Sequence, residues 1–439
     1  MTSRQKTIVF IIIGIVIGFI VLSILLRRSG TKLVTLEMWG LYDPPAVVNS
    51  LINSFVKEHK NISIHYTQKE AAPYYDDLIK GFANNKAPDI FILPGNWLPM
   101  FQDKISTLDL NKDKDLNLRI INETYPQIVQ DDLVSNNSLL GIPLSIDTLA
   151  LYYNKDIFDY YKIPLPPQTW EDVLALVPKL RKTNSQGQVT RAAIALGASD
   201  NINWSADILS ELMMKLGSSM VDKQNAKIIF GDSITQNNTR LIPGVEALKE
   251  YTQFANPKSK YYTWGNNFPN SIYAFSQGKT AMIIGYNLAQ QIIKKESPDL
   301  RYGITQFPFF GFENIGNQIN YGRTMNVVVS NRSQAKQAAW QFLKYLSSQG
   351  VSQFYFSQTK NPPAKLDLIS SAMKDSQAGI FTSQILTSRN WYQFDFQQIS
   401  PLFSKMINDV TLGNISPDQA VSSAASGIEL EWQKQLKNQ

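Results

Sequence analysis

Asp147 stands in the stretch GIPLSIDTLALYYNKDIF, residues 141–158, where one carboxylate precedes an apolar, aromatic strand and an Asn-Lys-Asp turn. A carboxylate so placed accepts hydrogen bonds, either from backbone N–H groups at a hinge or from the hydroxyls of a ligand. Paired with a second acid, Glu211 or Glu37, it could instead serve glycoside hydrolysis, which needs two carboxyl groups about 5 Å or about 6.5–9.5 Å apart. The sequence places no two of these acids together. Other catalytic chemistry lacks its residues. There is no cysteine, and His59 and His65 are the only histidines, which argues against zinc, a His-rich metal site or a Ser-His-Asp triad. Gly278-Lys279-Thr280 resembles the end of a phosphate loop, but Tyr273 stands where that loop needs its first glycine, and the segment precedes a strand instead of following one. No cofactor is expected.

The aromatic residues point to binding. A sugar ring has apolar C–H faces and a rim of hydroxyls, so its site combines flat side chains with Asp, Asn and Arg. Trp39, Trp97, Trp204, Trp264, Tyr286 and Trp391 all lie at or near expected loops. Trp39 and Gly40 end the first strand, and Asn96 and Trp97 follow the third, at the carboxyl ends where open α/β sheets bind ligands. Arg323 could pair with a sugar diol or an anionic group, or bridge to a carboxylate across a hinge.

These residues need elements to hold them. Residues 33–39 read as a strand; Asp43 as an N-cap with Pro44 at the first helical position; and Val47, Val48, Leu51, Ile52 and Phe55 as one apolar stripe of a helix. Ile62, Ile64 and Tyr66 alternate as a strand, residues 77–82 continue a second helix that Pro88 stops, and 90–93 suit a buried parallel strand. The pattern is βαβα with a parallel sheet. Thr169 and Asp172 form a capping-box start for a helix reaching about residue 181. Further strands are expected at 192–196, 281–284, 302–307 and from 321, with helices at 206–216 and from Ala335 to Leu346.

A chain of 439 residues is long for one core and comfortable for two lobes. Its net charge of +6 is scattered, with no basic stripe interleaved with aromatics, so nucleic-acid binding is not expected. Residues 8–26 form an almost purely apolar run, about long enough to span a bilayer core of roughly 30 Å. It ends in Leu-Leu-Arg-Arg without small cleavage-site residues, so an uncleaved anchor is expected. Arg4 and Lys6 before the run and Arg27, Arg28 and Lys32 after it leave the orientation undecided by charge.

PDIFILPGNW (88–97), GIPLSIDTLALYYNKDIF, GKTAMIIGYN (278–287), YGRTMNVVVS (321–330), AAWQFLKYLSS and NPPAKLDLI follow one another in an order and spacing that resembles family 1 extracellular solute-binding proteins, the maltose-binding-protein-like receptors of ABC importers. The resemblance covers nearly all of the chain after Thr31. It implies a type II periplasmic-binding-protein-like fold: two discontinuous α/β lobes joined by hinge segments, with the N-terminal transmembrane helix in front. Residues 1–30 would be the cytoplasmic tip and anchor, 31–145 plus 321–362 the first lobe, and 146–320 plus 363–439 the second, with crossings near 141–147, 320–326 and 361–365. It also implies that Asp147, Tyr286, Gly322 and Arg323 face the cleft, with Tyr74, Asn266 and Asn267 in cleft-side loops. Function would then be non-enzymatic: a monomer, tethered outside the cytoplasm, that captures a carbohydrate and hands it to ABC permease subunits. Another solute, such as a polyol phosphate, nucleoside or peptide, is the alternative, and a surface glycosidase or a tethered sensor partner comes after it.

Overall fold

The computed structural model describes residues 33–236, 239–311 and 318–437. The apolar run 8–26, with the anchor expected there, lies outside them, and no helix among the described residues is long and apolar enough to cross a membrane.

In chain order, the elements that build the site are β1 Val34–Gly40, α1 Pro45–Glu58, β2 Ile62–Gln68, α2 Tyr74–Ala83, β3 Ile90–Pro94, α3 Gln127–Leu133, β4 Gly141–Thr148 and β5 Ala150–Asn154. Next come α4 Trp170–Leu180, β6 Lys182–Thr183, β7 Val189–Ile194, α5 Ser205–Lys215, β8 Thr280–Gly285 and β9 Tyr302–Gln306. The last are β10 Asn320–Val329, α6 Lys336–Leu346, β11 Ser388–Arg389, α7 Phe396–Thr411 and α8 Pro417–Lys437.

Local sequence explains most of them. Val48, Leu51, Ile52 and Phe55 recur at helical spacing and form the buried stripe of α1. Thr169 and Asp172 complete a reciprocal capping box at the start of α4. The start of α1 differs from the expectation: Pro44 occupies the cap, Pro45 is the proline of the first turn, and Asp43 caps nothing. Its carboxylate is buried and accepts a hydrogen bond from Tyr355 Oη at 2.6 Å.

One sheet runs β11-β10-β3-β1-β2, with β4 also paired to β10. Its β1–β2 and β1–β3 contacts are parallel, whereas β10 is antiparallel to both β3 and β4. The other sheet runs β9-β5-β8-β7-β6, and only its β7–β8 contact is parallel. The βαβ alternation of the sequence is therefore present, but β5 enters the second sheet from the crossing strand β4 and runs against β8 and β9.

Two hydrophobic cores result. Leu36, Phe55, Phe91, Ile146, Val327 and Phe342 belong to one, and Tyr152, Trp170, Leu212, Ile283, Tyr321 and Phe403 to the other. The chain passes from the first to the second between Ile146 and Leu149. Strand β10 makes the return within itself, since Tyr321 packs in the second core and Val327 in the first. A last passage is less direct: Ala364, Ile369 and Ile385 pack with the first core, and Phe381 and Trp391 with the second. Helix α5 grips the return strand through Glu211, which accepts the Tyr321 backbone N–H and pairs with buried Lys215 at 3.2 Å.

Candidate ligand-binding site

Where β4 and β10 pass between the cores, Asp147 and Arg323 are opposite one another in the antiparallel register. Side chains alternate along a strand, so Arg323 and Met325 share a face, and both line a cavity with Tyr42, Asp147, Trp204 and Tyr286. Asp147 Oδ1 accepts the backbone N–H of Thr148 at 2.9 Å and of Asn287, just beyond β8, at 3.0 Å. Burial pushes its pKa up to about 7, against the opposing pull of the Asn287, Leu288 and Thr148 N–H groups and of Arg323. Asp147 thus ties the second sheet to the crossing strand while presenting an edge to the cavity.

Arg323 reaches from β10 to Asp207 in the first turn of α5, at 2.5 Å. Tyr286 Oη donates to the same Asp207 oxygen at 2.9 Å, and the guanidinium lies 4.8 Å from the centre of the Tyr286 ring. Burial alone would work against the cation, but Asp207 holds its pKa above the usual range, with Tyr286 and Tyr321 acting in the same direction. Its Nε is buried without a hydrogen-bond partner. Trp204 precedes α5 in the left-handed region, at φ 59°, and sets its ring edge-on to Tyr286 at 5.2 Å. Gly285 makes that approach feasible, because a Cβ there would lie 2.8 Å from the Trp204 ring.

The arrangement combines two aromatic rings, a carboxylate and a guanidinium already neutralised by a neighbour. The cavity measures about 50 Å³, against about 30 Å³ for one water in the liquid.

The sequence model of the bacterial extracellular solute-binding proteins matches residues 41–353. The chain belongs to this family. Among curated relatives, the galactooligosaccharide-binding protein of Bacillus subtilis is 22% identical over 402 residues, covering 91% of this chain and 89% of its own. A putative binding protein of Brucella abortus is 24% identical over 318 residues, 67% of this chain and 68% of its own. Among solved structures, an ABC transporter solute-binding protein from Thermotoga lettingae, bound with α-D-tagatose, superposes with a TM-score of 0.72 at 21% identity, covering 91% of this chain and all (100%) of the other. That likeness establishes the fold, an α/β architecture of the periplasmic-binding-protein-like kind.

Within this solute-binding protein the nominated residues separate into groups. Asp147, Trp204, Tyr286 and Arg323 meet at the cavity just described. Asn96 and Trp391 line a second cavity beside it. The others border neither. Trp264 is fully buried in the second core, stacked on Phe268 and bonded through Nε1 to Asn201. Tyr74 is fully buried in the first, donating to the Ile92 carbonyl. Trp97 packs on Tyr74, Tyr75 and Phe396, and Lys69 covers Trp39 at 4.0 Å. Gly40 leaves room for the Tyr66 ring, and Gly322 for Ile128 and Ser388, so both glycines serve packing. Asn266 and Asn267 are exposed. The three nominated acids also separate: Glu37 is at the surface beside His65, and Glu211 is in its buried ion pair. Tyr42, Asp207, Met325 and Asn361 were not nominated. Met325 was within reach of strand periodicity, two residues beyond Arg323, and Asn361 lies in an expected crossing; a buried Asp inside an amphipathic helix gives no sequence signal.

Proposed function

We propose that this solute-binding protein captures a neutral saccharide between its two cores and delivers it to the permease of an ABC importer. The observation that carries the reading is the cavity at the crossing strands, where Trp204 and Tyr286 offer ring faces and edges, and Asp147, Ser145 and Asn361 offer hydrogen bonds. Its cation supports a neutral solute over an anionic one, because Arg323 is already paired with Asp207. Relatives named for galactooligosaccharides and multiple sugars point the same way. The lobes follow the two cores, with Ile146, Ile369 and Ile385 on the first side and Tyr321 on the second, instead of dividing at 145, 320 and 362, and ligand contacts to both shift the population toward the closed form. The protein acts as a monomer, held outside the cytoplasm by a helix over 8–26, and catalyses no reaction.

Thermal-shift screening against neutral mono- and oligosaccharides, sugar phosphates, nucleosides and peptides tests the reading. A concentration-dependent rise in melting temperature with a neutral sugar is expected. A rise given only by an anionic solute or a peptide overturns it.

A further inference from the structure

Tyr42 and Asn361 both line the cavity at Arg323, and hydrogen bonds behind its wall connect the two. Tyr42 is followed by Asp43, a carboxylate only 6% exposed. Asp43 Oδ1 accepts from Tyr355 Oη at 2.6 Å, and Tyr355 Oη accepts in turn from Asn361 Nδ2 at 3.1 Å. The Asp43 carbonyl takes the hydroxyl of Tyr66 at 3.0 Å, so the bend that carries Tyr42 is held through main chain and side chain together. Tyr355 is buried on the helix Gln349–Thr359, which ends two residues before Asn361. Neither Asp43 nor Tyr355 lines the cavity itself.

The protons of this relay run one way. Burial pushes the pKa of Asp43 up to about 6, against the pull of the Tyr355 bond, so above about pH 7 the group is mostly ionised and only accepts. Tyr355 then gives Asp43 its one phenolic proton and presents a lone pair to Asn361. A lone pair calls for an amide N–H, which turns Asn361 Nδ2 toward Tyr355 and Oδ1 away from it. Turned over, the amide would set Oδ1 against an oxygen with no proton left to give. The main chain on either side of Asn361 is fixed by other bonds: Asn287 Nδ2 donates to the Lys360 carbonyl at 3.2 Å, and the Ile146 N–H to the Pro362 carbonyl at 3.0 Å. Asp43 therefore decides the orientation of the Asn361 amide and leaves the path of the crossing to others.

We propose that Asp43, acting through Tyr355, is a positioning residue for ligand capture, which fixes Asn361 with Oδ1 as the acceptor for one hydroxyl of the bound sugar; this rests on the saccharide reading above.

Titration of the full chain near pH 8 with galactose- and glucose-based sugars of one to four units, and with monodeoxy derivatives of the one bound best, tests it. Asp43→Asn can donate to Tyr355 and free the phenolic proton for Asn361 Oδ1, while Tyr355→Phe removes the relay oxygen; both let the amide turn. Each is expected to weaken binding about fivefold, and neither to weaken it further once Asn361→Ala is present. Both variants should also lose the discrimination that wild type shows against the one deoxy sugar lacking the hydroxyl given to Oδ1, a signature that a loss of stability alone does not produce. Losses of equal size with and without Asn361, or wild-type affinity in both variants, overturn the relay and leave the saccharide reading standing. Failure of wild type to bind any of these sugars overturns both.

Discussion

Trp204 is half-buried at the edge of the second core and contributes a ring to the cavity. Trp204→Ala is therefore expected to weaken saccharide binding by about 2 kcal/mol or more, the scale of an aromatic anchor, with little change in melting temperature. Equal losses of affinity and stability would make it a packing residue. Asp147 has a second duty, since its carboxylate accepts backbone N–H groups from both β4 and the end of β8. Asp147→Asn keeps an acceptor for those N–H groups and removes a charge that burial disfavours, so it should lower affinity more than stability. A ligand hydroxyl donating to Asp147 favours the ionised form and draws its pKa down from about 7. Affinity should then rise with pH from about 6 to about 8 and flatten above, with proton release on binding. Titration calorimetry in buffers of different ionisation heat reads this directly, and the Asn variant should give a flat profile.

Strand β10 belongs to both cores, and the hold that α5 has on it depends on Glu211 and Lys215, each about 1% exposed. Glu211→Ala removes a buried carboxylate from the Lys215 ammonium and frees the Tyr321 N–H, which should cost about 3–5 kcal/mol in chemical denaturation. A loss below about 1 kcal/mol would mean that water replaces the carboxylate. Elements of this kind were legible in the sequence where an apolar period repeats: the stripe of α1, the capping box of α4 and the buried run of β3 all form where their patterns place them. The site was legible only in part. Asp147 and Arg323 lie on crossing strands that chain order suggests, but an aromatic beside a loop reads the same whether it faces a cleft, as Trp204 does, or a core, as Trp264 and Tyr74 do. Asp207 was invisible because its meaning comes from Arg323, which is 116 residues away.

At the scale of the whole molecule, burial raises the pKa of several acids, among them Asp43 and Asp132 to about 6 and Asp147 to about 7. Each is easier to protonate folded than unfolded, so their contribution is fully present below the ordinary carboxyl value of 3.8 and lost as pH rises through about 6 and 7. Salt-bridged or capping acids such as Asp172, Asp375 and Asp409 are shifted the other way and lose their contribution as the medium becomes strongly acidic. Melting temperature should therefore be higher near pH 5.5 than near pH 8, about 1.4 kcal/mol per pKa unit being the upper scale for each buried acid. An increase from pH 5.5 to 8 would contradict those burials. Residues between Leu36 and Trp432 supply two cores, so a chain beginning near residue 31 should be soluble, monomeric and competent to bind. The most direct test of capture between two lobes is a crystal structure grown with the neutral sugar that gives the largest thermal shift. The account predicts a sugar touching both cores at once, Trp204 or Tyr286 from one and Arg323 or Tyr42 from the other; a sugar held on the outer face of a single core would contradict it.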